Sequence, residues 1–272
     1  MSKTYFEILR SGINTTIQDG GRNNMYHIGI TVSGAIDQRN YKLSNKLVNN
    51  DLNEAVIEFA YQGPLLKIKN GKINFSITGD VLFKIIRKNS NAEDGVCYKN
   101  YILEDEDQIN IISTKNTVYG YLSVKGGFEL EKVWNSYSIN TKANVGPNNG
   151  KKYSIEDKIF IKNSDLQINE KRKINYSLSS DNIIRVIKGT NFNFFSNEAK
   201  NIFFNQEFLV TKLADRMGIR LSGHKLENAV STNIKSEGLV RGTIQVPADG
   251  DPIIMLSDHG TIGGYPKIGV VI

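Results

Sequence analysis

The chain has 272 residues, a formal net charge of +6, 39% hydrophobic and 23% charged residues, which suits a soluble globular protein of one large domain or two small ones. A single cysteine, Cys97, excludes an internal disulfide and fits a reducing, cytoplasmic location. No apolar run approaches the roughly 20 residues of a membrane helix, and the lysines are scattered among acids rather than gathered on one element, so neither a membrane nor a nucleic acid is expected as partner.

Residues 1–10 carry Glu7 and no apolar h-region, which predicts no secretory signal. The stretch 38–49 spaces Tyr41, Leu43, Leu47 and Val48 as one helical face, with Asp37 as N-cap. Glu58 interrupts the apolar run 55–60, and a carboxylate buried there requires a partner. Residues 72–78, 81–87, 108–113, 119–124, 158–161 and 183–188 are β-branched or aromatic, often alternate, and end at Gly, Asn or Asp. They read as short strands of a sandwich or barrel. Cys97 sits in a polar loop as a bystander. The acidic run Glu104-Asp-Glu-Asp107 reads as a solvated turn, and 146–150 as a β-turn. Residues 163–180 are polar, contain the one tight basic run Lys171-Arg172-Lys173, and are expected to join two domains, 1–170 and 180–272. A second helix is expected over 197–204.

A weak internal repeat supports two parts. Asp19-Gly-Gly-Arg22 followed by Gly29-Ile-Thr-Val-Ser-Gly34 resembles Asp215-Arg216-Met-Gly218-Ile-Arg-Leu-Ser-Gly223. The two stretches would then be copies of one β unit, with a cleft shared between them. The segment 236–266 carries more Gly, Pro and polar residues than a hairpin needs, and so reads as a binding region. No Walker A loop and no G-x-S-x-G elbow occur. Ser257, Asp258 and His259 have the residue types of a triad, but on a strand neighbours face opposite sides. The three histidines show no zinc-ligand spacing, and no metal site is expected.

Gly12-Ile-Asn-Thr-Thr-Ile-Gln-Asp-Gly-Gly-Arg22, Ser33-Gly-Ala-Ile-Asp37, Glu58-Phe-Ala-Tyr-Gln-Gly-Pro64 and Gly263-Gly-Tyr-Pro266 together resemble the carboxyltransferase-domain family over nearly the whole chain. That family holds allophanate hydrolase subunit 2-like proteins, the carboxyltransferase half of urea carboxylase, and the C subunit of 5-oxoprolinase. The resemblance implies a mainly β fold of two cyclophilin-like β-barrel units with few short helices. It also implies a partner of related fold (the B subunit, allophanate hydrolase subunit 1-like) and a third subunit. Three departures stand out. Tyr137 takes the place of an arginine, in Asn135-Ser-Tyr-Ser-Ile139. Ala214 replaces the serine before Asp215-Arg-Met-Gly218. The sequence ends at Val270-Val-Ile272, which implies a C-terminally shortened second unit, with the strand that should brace 263–266 left incomplete.

The implied activity is ATP-dependent hydrolysis of 5-oxoproline to L-glutamate, with ATP and Mg2+ bound by the complex. An alternative is the carboxyltransferase half of a biotin-dependent urea or amide carboxylase, with biotin on a separate protein, since no Ala-Met-Lys-Met signal occurs. A further alternative, favoured by the first and third departures, is a non-catalytic regulator. Opening an amide needs cations or N–H donors for developing oxyanions, and a carboxylate for proton transfer. The candidate catalytic residues are Asp19, Arg22, Glu58 and Asp258. The candidate substrate- or nucleotide-binding residues are Gln18, Gly21, Ser33, Asp37, Arg216, Glu237, Gln245, Thr261, Gly263, Gly264, Tyr265 and Lys267. Asp19 and Arg22 read equally as an ion pair in a turn, Asp37 as a helix cap alone, and 263–266 as a tight turn around a packed aromatic. Arg241 and Asp249 read as surface residues.

Overall fold

In the computed structural model, residues 2–162, 170–177 and 183–272 are described. Of the predicted junction, 163–169 and 178–180 lie outside them. The chain forms two compact units: Met1–Arg22 with Gly34–Leu178, and Asn23–Ser33 with Ser179–Ile272. As expected from the sequence, the architecture is mainly β. No described helix is long and apolar enough to cross a membrane.

The first unit holds two antiparallel sheets. One has the strand order Lys158–Phe160, Tyr5–Arg10, Leu65–Lys69, Gln108–Thr114, Val81–Ile86, Ala92–Asp94. The other runs Asn14–Gln18, Val56–Ala60, Tyr119–Val124, Ile73–Thr78, Lys99–Leu103. Among the described residues neither order closes on itself. In the first sheet burial alternates, so Phe6, Ile8, Leu66, Ile68, Phe83 and Ile85 enter the core while their neighbours face outward. In the second sheet Val56–Ala60 and Ile73–Thr78 are buried at every position, because one face meets the core and helix α1, Gln38–Leu47, covers the other.

The face that α1 presents to the sheet is more polar than its apolar spacing suggests. Asn40, Tyr41, Ser44, Asn45 and Leu47 are buried, whereas Leu43 is only half-buried. Ser76 Oγ donates to Ser44 O (2.7 Å), Thr78 Oγ1 to Asn40 O (2.7 Å) and Tyr98 OH to Asn40 Oδ1 (2.8 Å). A buried polar interface is tolerable because these groups are hydrogen-bonded. Asp37 caps α1 as expected, its Oδ1 accepting from Asn40 N at 2.9 Å.

The acidic run departs from a wholly solvated turn. Asp107 is buried and accepts from Arg87 Nη1 (2.8 Å), Lys88 N (2.9 Å) and Glu104 N (3.0 Å). Burial pushes the Cys97 thiol up to about 11, and Sγ donates to Val81 O, which leaves it unreactive near neutrality.

The second unit has a six-stranded sheet: Val186–Lys188, Lys267–Val271, Thr243–Gln245, Ile253–Met255, Gly218–Gly223, Phe208–Val210. Helix α2, Asn197–Asn205, capped by Ser196, packs Ala199 into a core with Phe195, Leu226, Ile244, Val246 and Ile268. The strand Lys267–Val271 is paired on both sides. The internal repeat is not structural either: 218–223 form a strand, whereas 29–34 form none.

Candidate functional site

In the first unit, Asp19 follows the strand Asn14–Gln18 and is buried. Its carboxylate accepts from Gly21 N (2.8 Å), Ser136 Oγ (2.7 Å), Ser138 Oγ (2.6 Å) and Tyr137 N (2.7 Å). Four donors on one carboxylate consume its acceptor capacity, three of them holding the 135–139 loop. Arg22, also buried, donates through Nη2 to Ser138 O. Gln18 Nε2 donates to Thr16 Oγ1 (3.0 Å) and Ile139 O (2.9 Å). The substitution at Tyr137 leaves this anchor intact, since the loop contributes two serine hydroxyls and a backbone N–H, and the Tyr137 ring lies under Lys132 instead. Gly34 runs against the backbone of Gly20 and Gly21 at φ +84°, where a Cβ would meet Gly21 at 3.0 Å. Glu58, fully buried, accepts from Ile36 N at 2.8 Å. Beside it, burial and then the Glu58 charge hold the Tyr121 phenol well above its ordinary pKa. The Tyr121 oxygen accepts from Asp37 N at 2.7 Å. Glu58, Tyr121 and Asp37 thus fix the entry to α1.

In the second unit, Arg216 and Asp258 form a buried, two-pronged ion pair, Nε to Oδ2 at 2.8 Å and Nη2 to Oδ1 at 3.1 Å. Such a pair repays desolvation only with this geometry. It anchors the turn on which His259 follows. The His259 ring places Nδ1 2.5 Å from Gly260 O and Nε2 3.2 Å from the Tyr26 hydroxyl. A carbonyl only accepts, so Nδ1 carries the proton and Nε2 receives the phenol. Burial lowers the His259 pKa and raises that of Tyr26, so both are neutral at pH 7. Ser33 N and Thr31 Oγ1 donate to Ser257 O (3.0 and 3.3 Å), tying 23–33 to the same turn. His259 lines a cavity of about 220 Å³ with Asp215, Arg220, Met217, Met255 and Gly260.

A second cluster braces the closing turn. Buried Lys267 meets Glu237 Oε2 at 3.1 Å and donates to the carbonyls of Gly263 and Tyr265 (3.3 and 3.2 Å). The Lys267 hydrogen bond holds the Glu237 carboxyl below the usual carboxylate range. Gln245 Nε2 donates to Tyr265 O at 3.4 Å, and a Cβ on Gly263 would lie 2.2 Å from the same nitrogen, so a side chain there would displace Gln245. Gly264 O accepts from Ile234 N, and Thr261 O from Leu239 N.

Of the predicted site residues, Gln18, Asp19, Gly21, Arg22, Asp37 and Glu58 lie in the first unit. Ser33, Arg216, Glu237, Gln245, Asp258, Thr261, Gly263, Gly264, Tyr265 and Lys267 lie in the second. Asp258 and Arg216 are brought together, as are Glu237, Gln245, Gly263, Tyr265 and Lys267. Sequence reasoning passed over His259, Tyr26, Asp215 and Arg220. Strand alternation was the wrong ground for setting His259 aside, because Ser257 and Asp258 occupy a turn. No triad forms nonetheless, since Asp258 turns to Arg216 and His259 to Tyr26.

Residues 28–272 match the family model described as carboxyltransferase domain, subdomain A and B. The 5-oxoprolinase C subunit of Escherichia coli (strain K12) is 28% identical over 270 residues, 98% of this chain and 84% of that protein. Urea amidolyase of Saccharomyces cerevisiae is 26% identical over 98% of this chain, which spans 15% of that protein. The crystal structure of the Kluyveromyces lactis urea carboxylase superposes with a TM-score of 0.86 at 23% identity, covering 100% of this chain and 26% of that one, which establishes likeness of fold.

Proposed function

This chain belongs to the carboxyltransferase-domain family, subdomains A and B, and on that premise we propose that it is the C subunit of an ATP-dependent 5-oxoprolinase, hydrolysing 5-oxoproline to L-glutamate with partner subunits. The observation that carries the reading is the neutral His259, its Nε2 lone pair held by Tyr26 at the wall of a small cavity that also receives Asp215 and Arg220. With Nδ1 donating to Gly260 O, Nε2 is the basic nitrogen, and it would take a proton from an attacking water as the Tyr26 hydroxyl gives up its hydrogen bond. Arg220, shared with Asp249 at 3.0 Å, adds positive charge where an amide oxygen gains negative charge. The Arg216–Asp258 pair positions His259 without touching the reacting atoms.

The donor set of this cavity suits an amide better than a magnesium nucleotide, and among the described residues no group of three His, Cys, Asp or Glu side chains is placed to hold a metal. ATP and Mg2+ belong to the proposal as cofactors of the assembled complex, where ATP would supply the phosphoryl group that activates the amide oxygen. A second reading, carboxyl transfer to an amide nitrogen from biotin carried on another protein, draws on the urea amidolyase likeness and would use the same cavity.

Reconstitution with the two partner subunits and measurement of ATP-dependent glutamate release tests the proposal. The expected outcome is release that falls about 100-fold in His259→Gln while the complex still assembles. No release with all subunits present overturns it, and carboxylation of urea or another amide from a carboxybiotin carrier would establish the second reading instead.

A further inference from the structure

A cleft of about 780 Å³ opens on the first unit, away from the Asp19 and Glu58 clusters, where the edge strand Lys99–Leu103 meets the end of Val81–Ile86 and the segment 170–171. Five cations line it, Lys72, Arg87, Lys88, Lys99 and Lys171, against three acids, Glu104, Asp107 and Glu170. The acids are largely committed. Asp107 is buried under Arg87 and two backbone N–H groups, and Glu104 lies 3.3 Å from Lys72. Arg87 is committed too, to Glu93, Asp107 and the Ile102 carbonyl.

Three ammonium groups remain, those of Lys88, Lys99 and Lys171, with no carboxylate in ion-pair range among the described residues. Lys99 rests over the Tyr101 ring at 4.8 Å. Lys171 is held at the rim by its neighbours. Asn100 Nδ2 donates to Glu170 O (3.0 Å), Arg172 N to Asn100 Oδ1 (2.7 Å) and Asn100 N to Arg172 O (3.1 Å). The basic run that reads as linker in the sequence is thus laced to a strand at the edge of the cleft.

We propose that this cleft is a binding site for a small phosphate-bearing anion. The volume lies within the range of small-molecule sites. The charge converges on one concavity rather than along a stripe, which disfavours an extended nucleic acid. The free cations are lysines, point charges suited to phosphate, whereas Arg87, the group that would clasp a planar carboxylate, is already occupied. Binding at this cleft is independent of the 5-oxoprolinase reading, because it is measured on this chain alone.

The test is calorimetric titration of the full-length chain with inorganic tripolyphosphate, ATP and citrate at low salt. Saturable tripolyphosphate binding is expected, weakened about tenfold or more by Lys88→Gln, Lys99→Gln and Lys171→Gln together. The melting temperature should hold in this variant, because the three ammonium groups make no ion pair among the described residues. A charge-matched variant, Lys42→Gln, Lys151→Gln and Lys162→Gln, should bind as the parent does. ATP binding equal to tripolyphosphate supports recognition of phosphates alone, and tighter ATP binding supports a site that also holds the nucleoside. Absence of saturable tripolyphosphate binding, equal weakening by both triple variants, or preference for citrate overturns the proposal.

Discussion

Asp258 and His259 are adjacent in the chain and face opposite tasks. Asp258 is buried and paired with Arg216, so its carboxylate is spent on holding a turn. His259 is kept neutral by burial, and its tautomer is fixed by the Gly260 carbonyl. The sign of the resulting pH dependence follows from the lowered pKa. An imidazole acting as base works in its neutral form, so activity is lost as pH falls, and only below the ordinary histidine range near 6.5. The unfolded chain takes up that proton first, so the stability that His259 contributes above 6.5 also declines on the same side. The acid limb of kcat/KM for glutamate release should therefore lie below pH 6.5, and Tyr26→Phe, which removes the hydroxyl from Nε2, should move that limb while leaving the melting temperature nearly unchanged. An acid limb above 6.5, or one unmoved by Tyr26→Phe, would show that another group titrates. Nothing in the residue pattern marks Tyr26 as the partner of His259, because 233 positions separate them.

Elements were more legible than residues. The strand at 119–124 and the α1 cap at Asp37 were readable because alternation, β-branching and capping chemistry are local. Which face of α1 turns inward was not, since apolar spacing selects Leu43 while the sheet beneath offers Ser76, Thr78 and Ser123 hydroxyls, and Ser44 Oγ meets Ser123 Oγ at 2.7 Å. Asp37 illustrates how a site candidate resolves into architecture. Its Oδ1 accepts from Asn40 N and its Oδ2 from Asn40 Nδ2 (2.6 Å), so both oxygens serve the first turn of the helix. Asp37→Ala should cost about 1 kcal/mol in urea unfolding, with Asp37→Ser recovering most of it. A loss of activity in Asp37→Ser with stability retained would return Asp37 to the ligand-binding groups. Asp19 follows the same logic, with its four donors all drawn from the first unit.

At the scale of the molecule, the division of the chain is not the division of the sequence. A polar stretch suggests a boundary near 170–180, and the units divide there only in part. Residues 23–33 leave the first unit and join the second, where Ser33 and Thr31 bind the Ser257 carbonyl and Tyr26 meets His259. No local pattern could reveal this, because the partners of that segment lie more than 220 positions onward. A cut at 178 therefore does unequal damage. The fragment 1–178 keeps every strand of its two sheets and the core of Phe6, Phe59, Phe75 and Phe83. The fragment 179–272 keeps a smaller core around Phe195, Val246 and Ile268 and loses the segment that braces its His259 turn. Thermal melting of the two fragments should give a cooperative transition for 1–178 and none for 179–272 alone. Adding a synthetic peptide of residues 23–33 should restore dispersion of the His259 ring resonances in the second fragment. A cooperative melt of 179–272 at the midpoint of the intact chain would show that its strands suffice without the borrowed segment, and that the segment serves the site rather than the fold.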